Sequence, residues 1–189
     1  MELFDALQGR RSCRDFLKEP VDQDTIEKLL AAAVTAPSPL NTQPWQFIVI
    51  TDEAKKKEIH AEAERCRDWA AEKSGWKWLN KYEAGFLKEA PVVIAVVGDP
   101  KKTGVDMYQE EGSAGYQLAC AAAIQNLLLA AHVLGLGSLW FTFYDKQALR
   151  KILDIPDNKT PVSLVCLGKT ASEPAATPRK DAKEKTRYI

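Results

Sequence analysis

Three arginines near the start of the chain have the residue type and the spacing to bind an anion. Arg10, Arg11 and Arg14 can direct their guanidinium groups at a single phosphate. The hydroxyl of Ser12 and the local amides would add donors, so the cluster needs no glycine-rich loop. The alternative is that the arginines are solvated and pair with nearby acids such as Asp15. For any single arginine that alternative is the better one, whereas the concentration of donors favours a phosphate site.

A loop with three prolines provides the second set of polar groups. Between Pro37 and Pro44, the prolines and short polar side chains favour an extended backbone whose amides and carbonyls cannot all pair locally. Asn41 offers an acceptor and donors, which suits the edge of a polar aromatic ring, and Ser38 can do part of the same work. An asparagine that caps its own turn is the alternative. Trp45, at the start of a strand, is predicted to anchor the core.

Two later segments complete the candidate chemistry. In the segment 135–143, two glycines end a long helix and allow a tight reversal into an aromatic strand. A plain core strand is the alternative there, and it is the better interpretation for Phe141 alone. Near the end of the chain, Arg179 and Lys180 add basic groups.

In their order and in their distances from the helices, these clusters resemble the flavin site of the nitroreductase family, and the resemblance covers essentially the whole chain. It implies one noncovalent FMN held by the three clusters. The residues to which it assigns cofactor binding are Arg10, Arg11, Ser12, Arg14, Pro37, Ser38, Pro39, Asn41, Trp140, Phe141, Thr142 and Arg179.

The resemblance also assigns roles within that site. Arg10, Ser12 and Arg14 would contact the phosphate, the ribityl chain and the pyrimidine edge, while Arg11 fills a position that varies in the family. The main-chain amide of Thr142 would donate to the flavin N5 atom. The proline loop would contact the FMN held mainly by the other subunit of a homodimer. The chain departs from the family where many relatives have glycines near residue 142, and where some have a second basic residue at position 177.

No catalytic triad, carboxylate pair or metal cluster emerges from the sequence, which is consistent with chemistry carried by a flavin. His60 is predicted to be solvated, and His132 to be a satisfied core or interface residue. The resemblance implies electron transfer from NAD(P)H through FMN to nitroaromatics, quinones or similar acceptors by a ping-pong mechanism. A specialised dehalogenase, enone reductase or dehydrogenase of the same fold is an alternative, as is a non-catalytic FMN-binding module.

The elements that must position these residues alternate between helices and short strands. The fold class predicted is α+β and nitroreductase-like, with a central, mostly antiparallel sheet in one domain over 1–189 and a polar tail over 170–189. A capping box, Asp24-Thr25-Ile26-Glu27, is expected to open the second helix. The other helices are predicted over 2–8, 113–134 and 146–153, and the strands over 46–51, 92–97, 138–143 and 162–167.

The long helix is apolar nearly all round, which indicates that it is buried all round. One sheet can cover one face, and a second copy of the same helix across a two-fold axis is the natural cover for the other. A transmembrane span is the competing interpretation, but Gln125, Asn126 and His132 interrupt the apolar run.

An aromatic-rich span at about 66–90 is predicted to form a lid over the flavin and to select the substrate. A helix pair that packs its aromatic side chains onto the body of the protein is an equally good interpretation. The lid residues expected to face the substrate are Trp69, Trp76, Trp78 and Tyr82.

Composition bounds the remaining possibilities. The chain has 189 residues, with 26 Lys plus Arg and 26 Asp plus Glu, so no global field would attract nucleic acid or an anionic membrane. Its four cysteines are far apart and form no zinc-ligand spacing. Because acidic residues stand where an export signal would be basic and then apolar, a cytoplasmic protein with reduced thiols is expected.

Overall fold

In a computed structural model of the protein, which describes residues 1–108 and 114–189, the chain forms one antiparallel sheet with helices on both faces. The four strands have the order β1-β2-β4-β3. They are β1 (Trp45–Ile50), β2 (Val92–Gly98), β3 (Gly137–Phe141) and β4 (Thr160–Gly168). The helices are α1 (Leu3–Gly9), α2 (Gln23–Val34), α3 (Glu53–Ser74), α4 (Phe86–Glu89), α5 (Gly115–Val133) and α6 (Lys146–Ile152).

The central strands divide their side chains between two cores, because successive residues of a strand point to opposite faces. Ile94 of β2 lies in a core with α2 and α5, and its neighbour Val93 lies in a second core with α3, α4 and α6. Every residue of β2 is buried, which explains its uninterrupted apolar sequence. Trp45 is also buried in the first core, as predicted.

Polar side chains determine where several helices begin. Asp22 caps α2, because its carboxylate accepts a hydrogen bond from the amide of Thr25 at 2.8 Å. The predicted capping box at Asp24 is therefore wrong by two residues. Asp52 caps α3 in the same way, and Gly75 ends that helix with a φ of 68°, a left-handed conformation that favours glycine.

The second core is reinforced by a buried carboxylate. Glu62 of α3 accepts two hydrogen bonds from Arg65, both at 2.8 Å, and a third from the amide of Asp145 at 3.3 Å. Asp145 in turn caps α6. Glu62 thus connects α3 to the beginning of α6, and the hydrogen bonds from Arg65 hold the pKa of its carboxyl below the usual range.

The α+β class and the antiparallel sheet are confirmed, and most element boundaries differ from the predicted ones by one or two residues. The predicted start of the long helix at Ser113 lies outside the described residues. Within those residues, α5 has the length and composition of a membrane span, but here it packs between the sheet and α2 as a core helix. Its exposed apolar side chains include Leu118, which is 66% exposed.

Candidate cofactor site

Backbone pairing brings the N-terminal arginine segment against the C-terminal segment. The amide of Cys13 donates to the carbonyl of Ser138 in β3 at 2.9 Å. Beside it, the amide of Ala171 donates to the carbonyl of Asp15 at 3.1 Å, and the Ser172 hydroxyl donates to the Asp15 carboxylate at 2.9 Å. These bonds fix the backbone on both sides of the space into which the basic side chains project.

Three of the predicted cofactor residues line one cavity of about 600 Å³. Ser12 and Arg14 contribute from the N-terminal segment, and Arg179 contributes from the tail. An adjoining cavity of about 810 Å³ is lined by Arg10 and Arg11 and shares part of its wall with the first. The residues common to both cavities are Cys13, Ser172, Pro174 and Ala175.

The electrostatics of this cleft favour an anion. Arg10 is partly buried, and burial together with the positive charges of Arg179 and Arg11 lowers the pKa of its guanidinium. Among the described residues, Arg10, Arg14 and Arg179 form no ion pair with a carboxylate. Clustered guanidinium groups repel one another, so a dianionic phosphate between them would relieve that repulsion. The donor set therefore fits the phosphate of FMN.

Arg11 is held differently from the other arginines. Its Nη1 atom donates to the carbonyl of Gln8 at 2.5 Å and to the carbonyl of Arg10 at 2.9 Å. These carbonyls lie at the end of α1, where backbone acceptors lack partners within the helix. Arg11 therefore closes α1 while it also lines the larger cavity.

Ser138 is a site residue that the sequence analysis did not identify. It is 1% exposed and lines the larger cavity, and its hydroxyl has no hydrogen-bond partner among the described residues. A buried polar atom without a partner is costly, so it marks a place where a ligand or water completes the bonding. The sequence feature that could have indicated Ser138 is its position directly after Gly135 and Gly137, which lie between the long helix and the aromatic strand.

The proline loop is held in an unusual backbone conformation. Leu40, Asn41 and Gln43 have φ values of 51°, 52° and 44°, in the left-handed region that costs a side-chain-bearing residue about 1–2 kcal/mol. The Gln43 amide donates to the Ser38 hydroxyl at 3.0 Å, and its side chain donates to the Asn41 oxygen at 3.1 Å. The oxygen of Asn41 is thus used within the loop, which leaves its exposed NH₂ group to donate elsewhere.

The loop lies apart from the arginine cleft within the single chain. Pro37, Ser38 and Pro39 line a separate cavity of about 270 Å³ against α5, where Leu118 forms part of the opposite wall. This cavity shares no lining residue with the two arginine-lined cavities. The predicted cofactor residues of the proline loop and those of the arginine cleft therefore form two separate groups on one chain, and residues 140–142 line neither set of cavities.

The aromatic strand β3 presents its side chains alternately. Trp140 is 37% exposed, whereas Phe141 is buried and packs edge-on against Phe86 with ring centroids 5.4 Å apart. The Phe141 side chain is therefore part of the second core. Thr142 follows the end of the strand with an exposed side chain.

The predicted lid forms a chain of aromatic rings. Trp76 and Trp78 stack with centroids 6.1 Å apart, Trp78 meets Tyr82 edge-on at 5.9 Å, and Tyr82 contacts Phe143 at 6.2 Å. The tryptophans at 69, 76 and 78 are 56–60% exposed, so they do not belong to the core of this chain. Tyr82 is half-buried, and this burial raises the pKa of its phenol.

The two histidines do not form a catalytic group with their surroundings. His60 is partly buried rather than solvated, and it lies 3.9 Å from the carboxylate of Glu64. Burial and the charge of Lys88 lower the pKa of its imidazole. His132 lines the larger cavity and packs against Gly9, where any side chain would collide with its Nε2 atom. Within residues 1–108 and 114–189, no cluster of histidine, cysteine and acidic side chains could hold a metal.

Comparison with known proteins identifies the family. The sequence model of the Nitroreductase family matches residues 7–169, so the chain belongs to the nitroreductase family. It is 35% identical over 174 residues to a protein of Archaeoglobus fulgidus provisionally named NADH dehydrogenase/NAD(P)H nitroreductase, covering 88% of this chain and 84% of the relative. It is 34% identical over 170 residues to the 5,6-dimethylbenzimidazole synthase of Rhodospirillum rubrum, covering 87% and 81%.

A solved structure confirms the nitroreductase-like fold. An iodotyrosine deiodinase bound to FMN and 3-iodo-L-tyrosine superposes with a TM-score of 0.81 at 26% identity, covering 95% of this chain and 96% of the other. The three similar proteins have different activities, so membership of the family defines a flavoprotein scaffold and leaves the reaction open.

Proposed function

We propose that the protein binds FMN noncovalently and uses it to transfer electrons from NAD(P)H to small electron-poor acceptors such as nitroaromatics or quinones. The observation that carries this proposal is the arginine cleft, in which Arg10, Arg14 and Arg179 surround connected cavities without a compensating ion pair. A terminal phosphate fits that arrangement. FAD, whose phosphate is joined to AMP through a pyrophosphate and is therefore not terminal, would fit it poorly.

The residues of the cleft would divide the work of holding the cofactor. Arg10 and Arg179 would bind the phosphate, with the Ser12 hydroxyl as a further donor. Arg14 would lie at the pyrimidine edge, where its positive charge favours negative charge on the bound ring. Bound FMN would supply the redox chemistry, taking hydride from NAD(P)H and returning electrons to the acceptor. The backbone after β3, at Thr142, would orient the ring.

We further propose that the protein acts as a homodimer, because one chain does not join its two groups of cofactor residues. The proline loop and α5 line a cavity of their own, next to the exposed side chain of Leu118. A second copy related by two-fold symmetry could cover this apolar face and bring its loop to the first chain's arginine cleft. The strained loop conformation would present the NH₂ group of Asn41 to the cofactor of the partner.

A second candidate function is reductive dehalogenation of an aromatic substrate on the same scaffold. It is favoured by the similarity to the deiodinase structure over nearly the full length of both chains. The exposed Trp76–Trp78 pair would suit an aromatic substrate, since aromatic rings stack favourably. Both candidates use the same cofactor cleft and differ in the acceptor.

The test begins with purified protein kept under anaerobic conditions. We expect a yellow protein whose flavin absorbance bleaches with NADH or NADPH and returns with a nitroarene or a quinone. Recolouring by an iodinated phenol with release of iodide, but not by a nitroarene or quinone, would favour the dehalogenase. A protein that binds FMN but is not bleached by either nicotinamide would contradict the proposed electron donor.

A further inference from the structure

The lid carries positive charge beside its exposed aromatic rings. A short 3₁₀ helix, Lys77–Lys81, follows Trp76 and begins and ends with a lysine. Over residues 73–82 the chain has three lysines and no acidic residue. Lys77 and Lys81 are exposed, and neither forms an ion pair among the described residues. This part of the lid therefore has a local positive charge that the protein does not neutralise.

The helical turn assigns its residues to three faces, because side chains three positions apart in a 3₁₀ helix lie one above the other. Leu79 and Tyr82 have this spacing and form the inner face, since Leu79 is fully buried and Tyr82 is half-buried. Trp78 and Lys81 have the same spacing, and both are exposed. They therefore share one outer face of the turn, whereas Lys77 belongs to the third face.

The outer face extends into a flat aromatic surface. The ring of Trp76 stacks on that of Trp78, with centroids 6.1 Å apart and an angle of 26° between the ring planes. The inner face connects this surface to the candidate cofactor site, because the Tyr82 ring contacts Phe143 at 6.2 Å. Phe143 directly follows Thr142, at which the proposed function places the backbone that orients the flavin. An exposed ring pair and one unpaired cation thus lie on the same outer face, beside that backbone.

We propose that the lid selects aromatic acceptors that carry a negative charge, such as a ring carboxylate or sulfonate. The ring of the acceptor would stack on Trp76 and Trp78, and its anion would pair with Lys81. This inference rests on the proposed function and names the class of acceptor for the same site. A neutral ring of the same size would lose the attraction of the unpaired lysine, and a cationic ring would be repelled. Because the lysine is exposed, water and salt limit the size of the effect.

The test compares 4-nitrobenzoate with 4-nitrobenzamide, which share a ring and a nitro group and differ in charge. Protein loaded with FMN is bleached anaerobically with one equivalent of dithionite, and the acceptor is then added in a stopped-flow instrument. The nitro group takes two electrons and two protons from reduced FMN and gives a nitroso group and water, so the returning flavin absorbance measures the acceptor step alone. In Lys81→Gln, the ratio of the rate constant for the anion to that for the amide should fall about two- to fivefold.

Two further measurements check that charge is the cause. In the wild type, the same ratio should fall when the salt concentration rises from about 20 mM to about 0.5 M. Benzoate and benzamide bind without being reduced, and their dissociation constants can be measured by quenching of tryptophan fluorescence in the oxidised protein. The preference for benzoate over benzamide should decrease in Lys81→Gln by about the same two- to fivefold factor.

Lys77→Gln is the matched control, because Lys77 is an exposed lysine on a different face of the same turn. The variant and the control lose the same charge, so long-range attraction cancels between them. An unchanged ratio in Lys81→Gln, an equal fall in Lys77→Gln, or reoxidation by neither nitroarene would overturn the inference while leaving the FMN assignment intact. Failure of the wild type to bind FMN would instead overturn the proposed function, and this inference with it.

Discussion

Replacement of Arg179 by alanine tests the arginine cleft most directly, because it should have opposite effects on the empty and the loaded protein. Without ligand, Arg179 adds positive charge near Arg10 and has no carboxylate partner among the described residues. Two like charges a few ångströms apart in water repel by about 1 kcal/mol. Arg179→Ala should therefore leave the apo-protein as stable as the wild type or slightly more stable.

With ligand, the same substitution should weaken FMN binding. A hydrogen bond to a charged group contributes about 1.5–3 kcal/mol, which corresponds to a roughly ten- to hundredfold rise in Kd. Riboflavin has the same ring and ribityl chain but lacks the phosphate. Its affinity should therefore be the same in Arg179→Ala and in the wild type, within about twofold. The ratio of the two affinities isolates the contact between Arg179 and the phosphate.

The assay is a fluorescence titration of apo-protein with each flavin, paired with thermal unfolding of the apo-protein. Arg187→Ala is the matched control, since Arg187 is an exposed arginine of the same tail and lines neither arginine cavity. The variant and the control lose the same charge, so any effect of net charge cancels. Equal losses of FMN and riboflavin affinity, or an equal loss of FMN affinity in the control, would refute the phosphate assignment.

Three further predictions concern the dimer, the α3–α6 connection and the lid. Leu118→Glu should give a flavin-free monomer by light scattering and absorbance, because a charge cannot be buried in an apolar interface; a yellow dimer would contradict this. Glu62→Gln should lower the free energy of unfolding by about 1–2 kcal/mol at pH 7, whereas Glu58→Gln, on an exposed pair, should have almost no effect. The pKa of Glu62 is lower in the folded protein than in the unfolded chain, where it is near 4.5. The contribution of its carboxylate to the free energy of unfolding is therefore present above pH 4.5 and lost as the pH falls through the folded pKa. Urea unfolding curves of Glu62→Gln and the wild type should accordingly converge at acid pH. Trp76→Ala should change the rate of reaction with aromatic acceptors about two- to tenfold in anaerobic stopped-flow measurements, while the FMN content stays constant. A lower melting temperature with an unchanged acceptor profile would mean that the Trp76 ring has only a structural role.

The choice of Leu118 for the dimer test depends on the structure, because hydrophobic periodicity does not distinguish the apolar residues of α5. From the sequence, Leu128 and Leu118 are equivalent apolar residues of one long helix. In the structure, Leu128 is 2% exposed in the core of its own chain, whereas Leu118 is 66% exposed. A charged residue at Leu128 would unfold the chain and say nothing about dimers. In a helix that is apolar all round, the two faces do not differ in hydrophobicity. Only the packing of the sheet against α5 therefore determines which face is buried within the chain.

Local signals in the sequence predicted the four strands and helices α1 and α6 to within about two residues, because apolar runs act over a few residues. They gave no bounds for the mostly polar helix α3 or for the short helix α4. The strand order β1-β2-β4-β3 could not be predicted from local signals, since it depends on which of several similar apolar strands pair over long distances in the chain. The start of α2 was misplaced for a related reason. Asp22 and Asp24 are both competent caps, and the backbone conformation selects Asp22.

The candidate site also contains residues that the sequence predicted and residues that it did not. The arginine cluster and the proline loop were visible as dense local patterns, and the resemblance to the nitroreductase family joined them to Arg179. The residues missed are those whose importance depends on contacts between distant segments. Ser138 is ordinary in sequence, and only its burial without a partner draws attention to it.

Tyr82 illustrates why residue type alone could not assign roles in the lid. In the sequence, Tyr82 is indistinguishable from Trp69, Trp76 and Trp78 as a predicted substrate contact, because all four are aromatic residues in one polar span. The structure separates them, since the tryptophans are exposed while Tyr82 is half-buried and its ring contacts Phe143, beside the aromatic strand, at 6.2 Å. Trp76 is therefore the better probe of acceptor choice, because its exposed ring contacts only Trp78 among the described aromatic residues, whereas a change at Tyr82 would also disturb the packing against Phe143.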